Sequence, residues 1–402
     1  MKQNANHSGF LLVLLSGLLL LSLTGCWSSH EIEELGLEVG LAFDKGEEST
    51  IEKKLKEQGA GYPKRDTITF TYQFVNPKAI GTGSQDGGSQ EKSYTNVFET
   101  GDSIHQTIRE VSLRRDRPII FQHTKVMVIS EDIARTYSLE QLLDLYFRDN
   151  EIRPSCLVFI SKGRASKTLE SKETGEIPSF RLMGIADNEY RTTRLLPSMS
   201  LAKLIGKMQS GSSFLLQNVV SANGEVKFAG AAVIDGKHKK LRGFLNEAEL
   251  EGITWITGKG KSGLVKSFDQ ETGELMIYEI ESMKSRIIPH IKGDDISFDV
   301  NVESEGRLSE NWTAETAFEN EFLKRAEKAA EKEVKDLMKN VVEKMQKDYQ
   351  ADVAGFGNQL RIKHPRTWEK VKKDWDQLFS EVPIKYNVKL TITDYGTSGS
   401  NE

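Results

Sequence analysis

The chain has 402 residues, 38% of them hydrophobic, with 54 Lys or Arg against 59 Asp or Glu and a net charge of −5. This acidic balance offers no basic field for nucleic acid, and the length and apolar content suit two or three domains with ordinary cores. Two cysteines cannot build a disulfide framework, and seven histidines scattered without ligand spacing point to no zinc site.

The first element is an apolar run from Phe10 to Leu23 behind a polar head whose only formal charge is Lys2. It is shorter than the roughly 18 residues of a spanning helix and reads as a secretory signal peptide. It ends in Leu23-Thr24-Gly25-Cys26, which resembles the lipobox of bacterial lipoproteins. In that pathway a diacylglyceryl group is attached to the Cys26 thiol, and cleavage makes Cys26 the new N-terminus. Thr24 and Gly25 are small enough to enter a peptidase, and a thiol is a nucleophile that hydroxyls do not match at neutral pH. A secreted protein with a stray cysteine, or a core helix, is the competing reading. Removing residues 1–25 takes Lys2 with it and moves the net charge from −5 to −6. The expected product is a water-soluble body on a lipid tether with no second span. Cys156, in SCLVFIS, is then left alone and reads as a buried strand thiol.

Residues 26–176 read as an N-terminal α/β domain. TITFTYQFV places Ile68, Phe70, Tyr72 and Phe74 on one face at period two. The Gly-, Ser- and Gln-rich segment from Pro77 to Ser93 reads as a mobile surface loop. Asp102 or Ser103 can cap a helix carrying Ile104, Ile108 and Val111, and Ile119 to Ile129 reads as a strand. Ser138 and Gln141 form a capping box ahead of a helix with Leu142, Leu143, Leu145, Tyr146 and Phe147, before a strand at Cys156 to Ile160.

From about Ile177 the pattern shifts to short strands and loops, with apolar runs at Phe214–Val220, Val226–Ile234 and Gly252–Thr257, so residues 177–270 are expected to form a middle domain. Residues 271–396 read as a C-terminal α/β domain. ISFDVNVE alternates through Ile296, Phe298, Val300 and Val302, and IKYNVKLTIT through Ile384, Tyr386, Val388, Leu390 and Ile392, as half-buried strands. Between them a charged helix from about Ala314 to Tyr349, about 50 Å long at ~1.5 Å per residue, carries a stripe through Phe318, Phe322, Ala326, Ala330, Val334, Leu337, Val341 and Met345. The stripe is expected to lie on its own sheet. Glu321–Arg325, Glu331–Lys335 and Glu343–Lys347 are expected as exposed pairs. The fold class expected is α+β, with mostly mixed or antiparallel sheets.

Three short matches raise a serine enzyme: Ser200-x-x-Lys203, Ser221-x-Asn223 and Lys261-Ser262-Gly263, the order used by penicillin-recognising enzymes. The spacing argues against it. Only 17 residues separate Lys203 from Ser221 and 37 separate Asn223 from Lys261, too few for the helical domain such enzymes place there. Thr257–Gly263, TGKGKSG, fails as a phosphate loop because Trp255 stands where a glycine is needed, and it reads as a turn between strands. His123 has no identifiable nucleophilic partner and reads as structural. No catalytic, metal or cofactor-binding residue is therefore expected. Cys26, with its diacylglyceryl and a possible further N-acyl chain, is the one site residue.

Several dispersed segments resemble one family. CWSSHEIEELGLEVGLAFDK after the lipobox, RPIIFQHTKVMVISEDIA, Arg148-Asp149 before IRPSCLVFIS, FAGAAVIDGKHKKLRGFLNEAE, and HPRTWEKVKKDWDQLF with Trp368 and Trp375 resemble the Ger(x)C lipoproteins, the C subunits of nutrient germinant receptors of endospore-forming bacteria. Ser28, Ser29 and His30 depart from the Asp-Arg-Arg-like residues usual there, and Val353-Ala354 from a Pro-Phe. The resemblance spans nearly the whole mature chain. It implies a three-domain mixed α/β ectodomain at the outer face of the spore inner membrane, beside an A subunit and a multi-span B subunit, in receptor assembly or signalling. The alternative is a lipid-anchored solute-binding protein of a transporter, which would need two similar α/β lobes around a cleft.

Overall fold

The computed structural model describes residues 15–17, 35–59, 64–77, 91–149, 152–313 and 320–394. Cys26, nearly all of the signal peptide, residues 78–90 of the Gly/Ser-rich segment and Phe318 lie outside the described residues.

GLEVGLAFDK opens the fold as β1 (Gly36–Lys45), buried on both faces but for its ends. A Ser49–Glu52 capping box starts α1 (Thr50–Glu57). β2 (Ile68–Val75) and β3 (Tyr94–Gly101) follow, and Ser103, accepting from the Gln106 N–H, caps α2 (Ile104–Val111). The stretch expected as one strand from Ile119 to Ile129 is broken into β4 (Ile119–Ile120) and β5 (Val126–Ser130). The break is a turn in which the Thr124 hydroxyl lies within hydrogen-bond reach of Phe121 O (2.9 Å) and of the buried Glu38 carboxyl. After α3 (Glu131–Thr136) comes α4 (Leu139–Arg148), whose Ser138–Gln141 capping box closes at 3.1 Å in both directions. β6 (Leu157–Ser161), α5 (Pro178–Ala186), α6 (Leu201–Gln209), β7 (Phe214–Ala222), β8 (Glu225–Ile234) and β9 (Leu241–Leu245) complete the first unit.

These strands form one nine-stranded sheet in the order β3-β2-β1-β5-β6-β7-β8-β9, with β4 beside β1. Its centre, β1-β5-β6-β7, is parallel, and each flank is antiparallel. The apolar strand VMVIS is buried throughout, as a parallel strand covered on both faces must be. On one face Phe43, Phe70, Tyr72, Met127, Ile160 and Leu216 pack with α2, α4 and α6. On the other, Ala42, Val128, Phe159 and Val219 pack under α5 and a 3-10 turn at Ala165–Leu169. The polar face of β2 is buried too, where Gln73 Nε2 donates to Leu169 O (2.8 Å) and its Oε1 accepts from Ser179 N (3.0 Å). Across residue 177 the sheet is continuous, since β6 and β7 pair directly. The change of sequence pattern there marks the passage from parallel β-α-β units to antiparallel hairpins.

The apolar run Gly252–Thr257, grouped by its sequence with strands, is instead the end of α7 (Glu247–Thr257). An Asn246–Glu249 capping box starts this helix and Gly258 ends it at φ 64°, ψ 23°. Its continuous apolarity reflects burial on all sides, between the first sheet and the second. β10 (Gly263–Phe268), β11 (Leu275–Lys292) and β12 (Asp295–Asn311) run antiparallel. From β12 the chain crosses through α8 (Asn320–Lys344), a π turn at Met345–Tyr349, α9 (Phe356–Lys363), α10 (Pro365–Val371) and α11 (Trp375–Phe379) to β13 (Ile384–Asp394). β13 pairs in parallel with β12, giving the order β10-β11-β12-β13.

Of the expected stripe on α8, Phe322, Ala326, Ala330, Val334 and Val341 are buried, but Leu337 is only half-buried and its neighbour Met338 is buried in its place. Of the expected exposed pairs Glu343–Lys347 forms. Glu331 instead accepts the N–H of Leu390 (3.1 Å), and Arg325 reaches Asp269 (3.4 Å). The molecule is a mixed α/β protein with two mixed sheets of different strand number and order, so the paired similar lobes of a solute-binding protein are not the arrangement found. No helix among the described residues is long and apolar enough to cross a membrane.

Candidate functional site

The enzyme-like residues are engaged in structural tasks. Ser200 caps α6, its Oγ accepting the Lys203 N–H, while Lys203 Nζ donates to Ser198 O (3.0 Å). Ser221 Oγ donates to Lys167 O (2.9 Å), and Asn223 takes a left-handed φ of 53° in the β7–β8 turn. Lys261 pairs with Glu189 (2.9 Å). No hydrogen bond joins these groups to one another among the described residues. Gly258 to Gly263 is the turn expected, though it follows a helix. Cys156 is buried, and burial pushes its thiol well above the ordinary range. His123 is half-buried. Among the described residues no group of three or more His, Cys, Asp or Glu is placed to hold a metal.

What the structure does bring together is a cleft of about 2390 Å³ between the two sheets. Its near wall is the C-terminal half of α6 and the β8–β9 turn at Lys237, His238 and Lys239, and its far wall is drawn from the chain between Gln350 and Gln377. The near wall is fixed by Asp235, which accepts the N–H groups of Lys237 (2.7 Å) and His238 (2.8 Å) and two bonds from Arg242 (2.8 and 2.5 Å). Burial would raise its carboxyl, but those donors and the guanidinium hold it at about 2.

The far wall is a knot around Asp352. Its Oδ1 accepts from the N–H groups of Gly355 (2.8 Å) and Phe356 (3.1 Å), and its Oδ2 from Gly357 (2.6 Å) and from Trp375 Nε1 (2.9 Å). Burial pushes this carboxyl up while the four donors oppose it. It thereby caps α9 and fastens α11 to it. Two clasps join the walls. Tyr349 in the π turn donates to Phe244 O (2.8 Å) and accepts the Phe244 N–H (3.1 Å), its ring lying over Gly243, where a Cβ would come within 2.4 Å. Ser213 Oγ meets Asp376 (3.1 Å). Aspartates tied to backbone donors, and a tyrosine in a π turn, leave no spacing signal in sequence, and the sequence reading passed over all of them.

It also passed over Glu38. This residue sits at a bulge of β1, fully buried, with Oε1 lacking a hydrogen-bond partner among the described residues. Burial raises its carboxyl to about 8, which the Thr124 hydroxyl only partly offsets, so it is neutral at pH 7.

Residues 28–220 match the family described as "Spore germination protein N-terminal domain", and residues 229–396 match "Spore germination B3/ GerAC like, C-terminal". Spore germination protein YndF of Bacillus subtilis (strain 168) is 54% identical over 94% of this chain and 95% of its own length. Spore germination proteins B3 and A3 of the same organism are each 30% identical over 95% of this chain and over 96% and 97% of their own lengths. The crystal structure of the GerBC protein superposes with a TM-score of 0.60 at 26% identity, covering 82% of this chain and 94% of that one. With two adjoining domain matches and full-length relatives, the chain belongs to the Ger(x)C family of spore germination proteins, the C-subunit type of germinant receptors.

Proposed function

We propose that this protein is a lipid-anchored C subunit of a nutrient germinant receptor, held by Cys26 at the outer face of the spore inner membrane. There it acts in receptor assembly or signalling beside an A and a B subunit. The observation that carries this reading is a family match along nearly the whole chain behind a Leu23-Thr24-Gly25-Cys26 lipobox. A diacylglyceryl pair gives stable anchoring where one chain would not, at about 0.8 kcal/mol per buried methylene. Confinement beside membrane-embedded partners raises effective concentration to the order of millimolar for a short linker, so weak contacts become occupied. In this reading the body is not an enzyme and holds no cofactor. The structural tasks of Ser200, Lys203, Ser221 and Lys261 support that.

The test is disruption of the gene in a strain whose other germinant receptors have been removed. Spores should lose nutrient-triggered germination, keep germination by nutrient-independent agents, and regain the nutrient response on complementation. An unchanged nutrient response without the chain would overturn the proposal.

A further inference from the structure

The chain is acidic overall, yet the cleft between its sheets is basic. Its lining carries eight Lys and three Arg against four Asp, an excess of seven positive charges, in a molecule whose net charge is −5. Two of those aspartates are already committed inward, Asp235 to Arg242 and its own turn, and Asp352 to four N–H donors. Among the described residues Lys207, Lys259, Arg286, Lys363 and Lys373 have no carboxylate within 4.0 Å, although they line one cleft. The Lys259 side chain is exposed, and the groove walls around it together with the like charge of Lys207 lower its affinity for a proton. Like charges gathered in one concave groove focus a positive potential and repel one another until an anion enters.

We propose that this cleft is a docking site for an acidic polypeptide segment with apolar residues interspersed among its carboxylates. Size and floor distinguish this occupant from a small anion. At about 2390 Å³ the cleft exceeds the roughly 300–1,000 Å³ of small-molecule sites. Its floor exposes parts of Leu196, Ile287, Val353 and Trp368, which a bare phosphate would leave wet but which apolar side chains would cover. A planar membrane of anionic headgroups could meet the rim lysines but not this recessed floor. The inference stands on the cleft alone and is independent of Cys26 and of the receptor reading.

The test uses the full chain in detergent and a fluorescein-labelled peptide of about a dozen residues alternating Glu or Asp with Leu, read by anisotropy at low salt. Binding should be saturable and should weaken at least about tenfold, or about 1.4 kcal/mol, when Gln and Asn replace the peptide's acids. Lys207→Glu with Lys259→Glu should weaken it by a similar factor, and Lys207→Gln with Lys259→Gln by less. Lys54→Glu on α1, outside the cleft, should change it less than about twofold. The milder glutamine pair keeps the test valid if the charge reversal disturbs folding. Absence of peptide binding, equal binding of the neutral peptide, or indifference to the lysine variants would overturn the proposal. So would lysine-dependent binding of phosphatidylglycerol vesicles, or of inorganic phosphate, that the acidic peptide does not share.

Discussion

Asp352→Ala tests whether one buried carboxylate holds the far wall of the cleft. The side chain is 6% exposed and accepts four hydrogen bonds at 2.6–3.1 Å, three from backbone N–H groups and one from Trp375 Nε1. A hydrogen bond to a charged group contributes about 1.5–3 kcal/mol net, and a buried donor left unpaired costs about 1–3 kcal/mol. Four such terms do not add in full, because the carboxylate's own desolvation cost vanishes with it and water can reach some donors from the cleft. The expected loss is about 4 kcal/mol, at the high end for a point mutation. Asp352→Asn should rescue little, since its amide nitrogen must face one of two pairs of donors. Equilibrium urea unfolding followed by tryptophan fluorescence measures the loss, and at about 2–4 °C per kcal/mol the melting temperature should fall by roughly 10 °C. Trp375→Phe removes one donor, and its coupling to Asp352 in a double-mutant cycle should be about 1–2 kcal/mol. A loss below about 1 kcal/mol for Asp352→Ala, or full rescue by Asn, would refute the reasoning.

Two glycines should respond in opposite directions. Gly252→Ala places a Cβ 2.4 Å from Leu337 O at the α7–α8 contact and should cost about 2 kcal/mol, whereas Gly206→Ala in α6 meets nothing within 4 Å and should gain about 0.5–1 kcal/mol, both by urea unfolding. Glu38 takes up its proton at about 8 when folded against an ordinary 4.5, so the native state holds a proton the unfolded chain lacks. Its contribution to stability should therefore fall, by at most about 1.4 kcal/mol per pH unit, as pH rises from about 4.5 to 8, and Glu38→Gln should flatten that slope in unfolding measured across the window. Ser200→Ala should cost about 1 kcal/mol through the lost cap while Ser200→Asp restores stability. Neither should abolish germination at normal expression, and the wild type should take no fluorescent penicillin label.

Local signals carried far in this chain. The Ser138–Gln141 box, the period-two faces of β2, β12 and β13, and the α8 stripe except at Leu337 appear where side-chain spacing places them. The failures share a cause in tertiary burial. The second half of α7 is buried on all sides between α8 and strands of both sheets, which erases its helical period and makes it resemble a strand. The connection through residue 177 lies within one sheet because β7 reaches back to β6, a pairing set by topology and not by the residues near the change. Glu331 left its expected neighbour because a buried N–H of the parallel strand β13 needed an acceptor. The cleft was the least legible feature. KHKK in the β8–β9 turn and KVKK before Trp375 are ordinary solvated runs in an acidic chain until folding sets Lys237 and Lys239 of the one and Lys372 and Lys373 of the other around one groove.

The central claim is a tethered receptor subunit, and the most direct measurement is nutrient-triggered germination of spores carrying Cys26→Ala, with palmitate labelling of the same chain as its internal control. The expected result is an unlipidated precursor with an intact soluble fold, loss of the label, and a sharp fall in the nutrient response while nutrient-independent germination survives. Undiminished labelling would refute lipidation at Cys26 outright, and a full nutrient response from an unlabelled chain would contradict the role assigned to the tether.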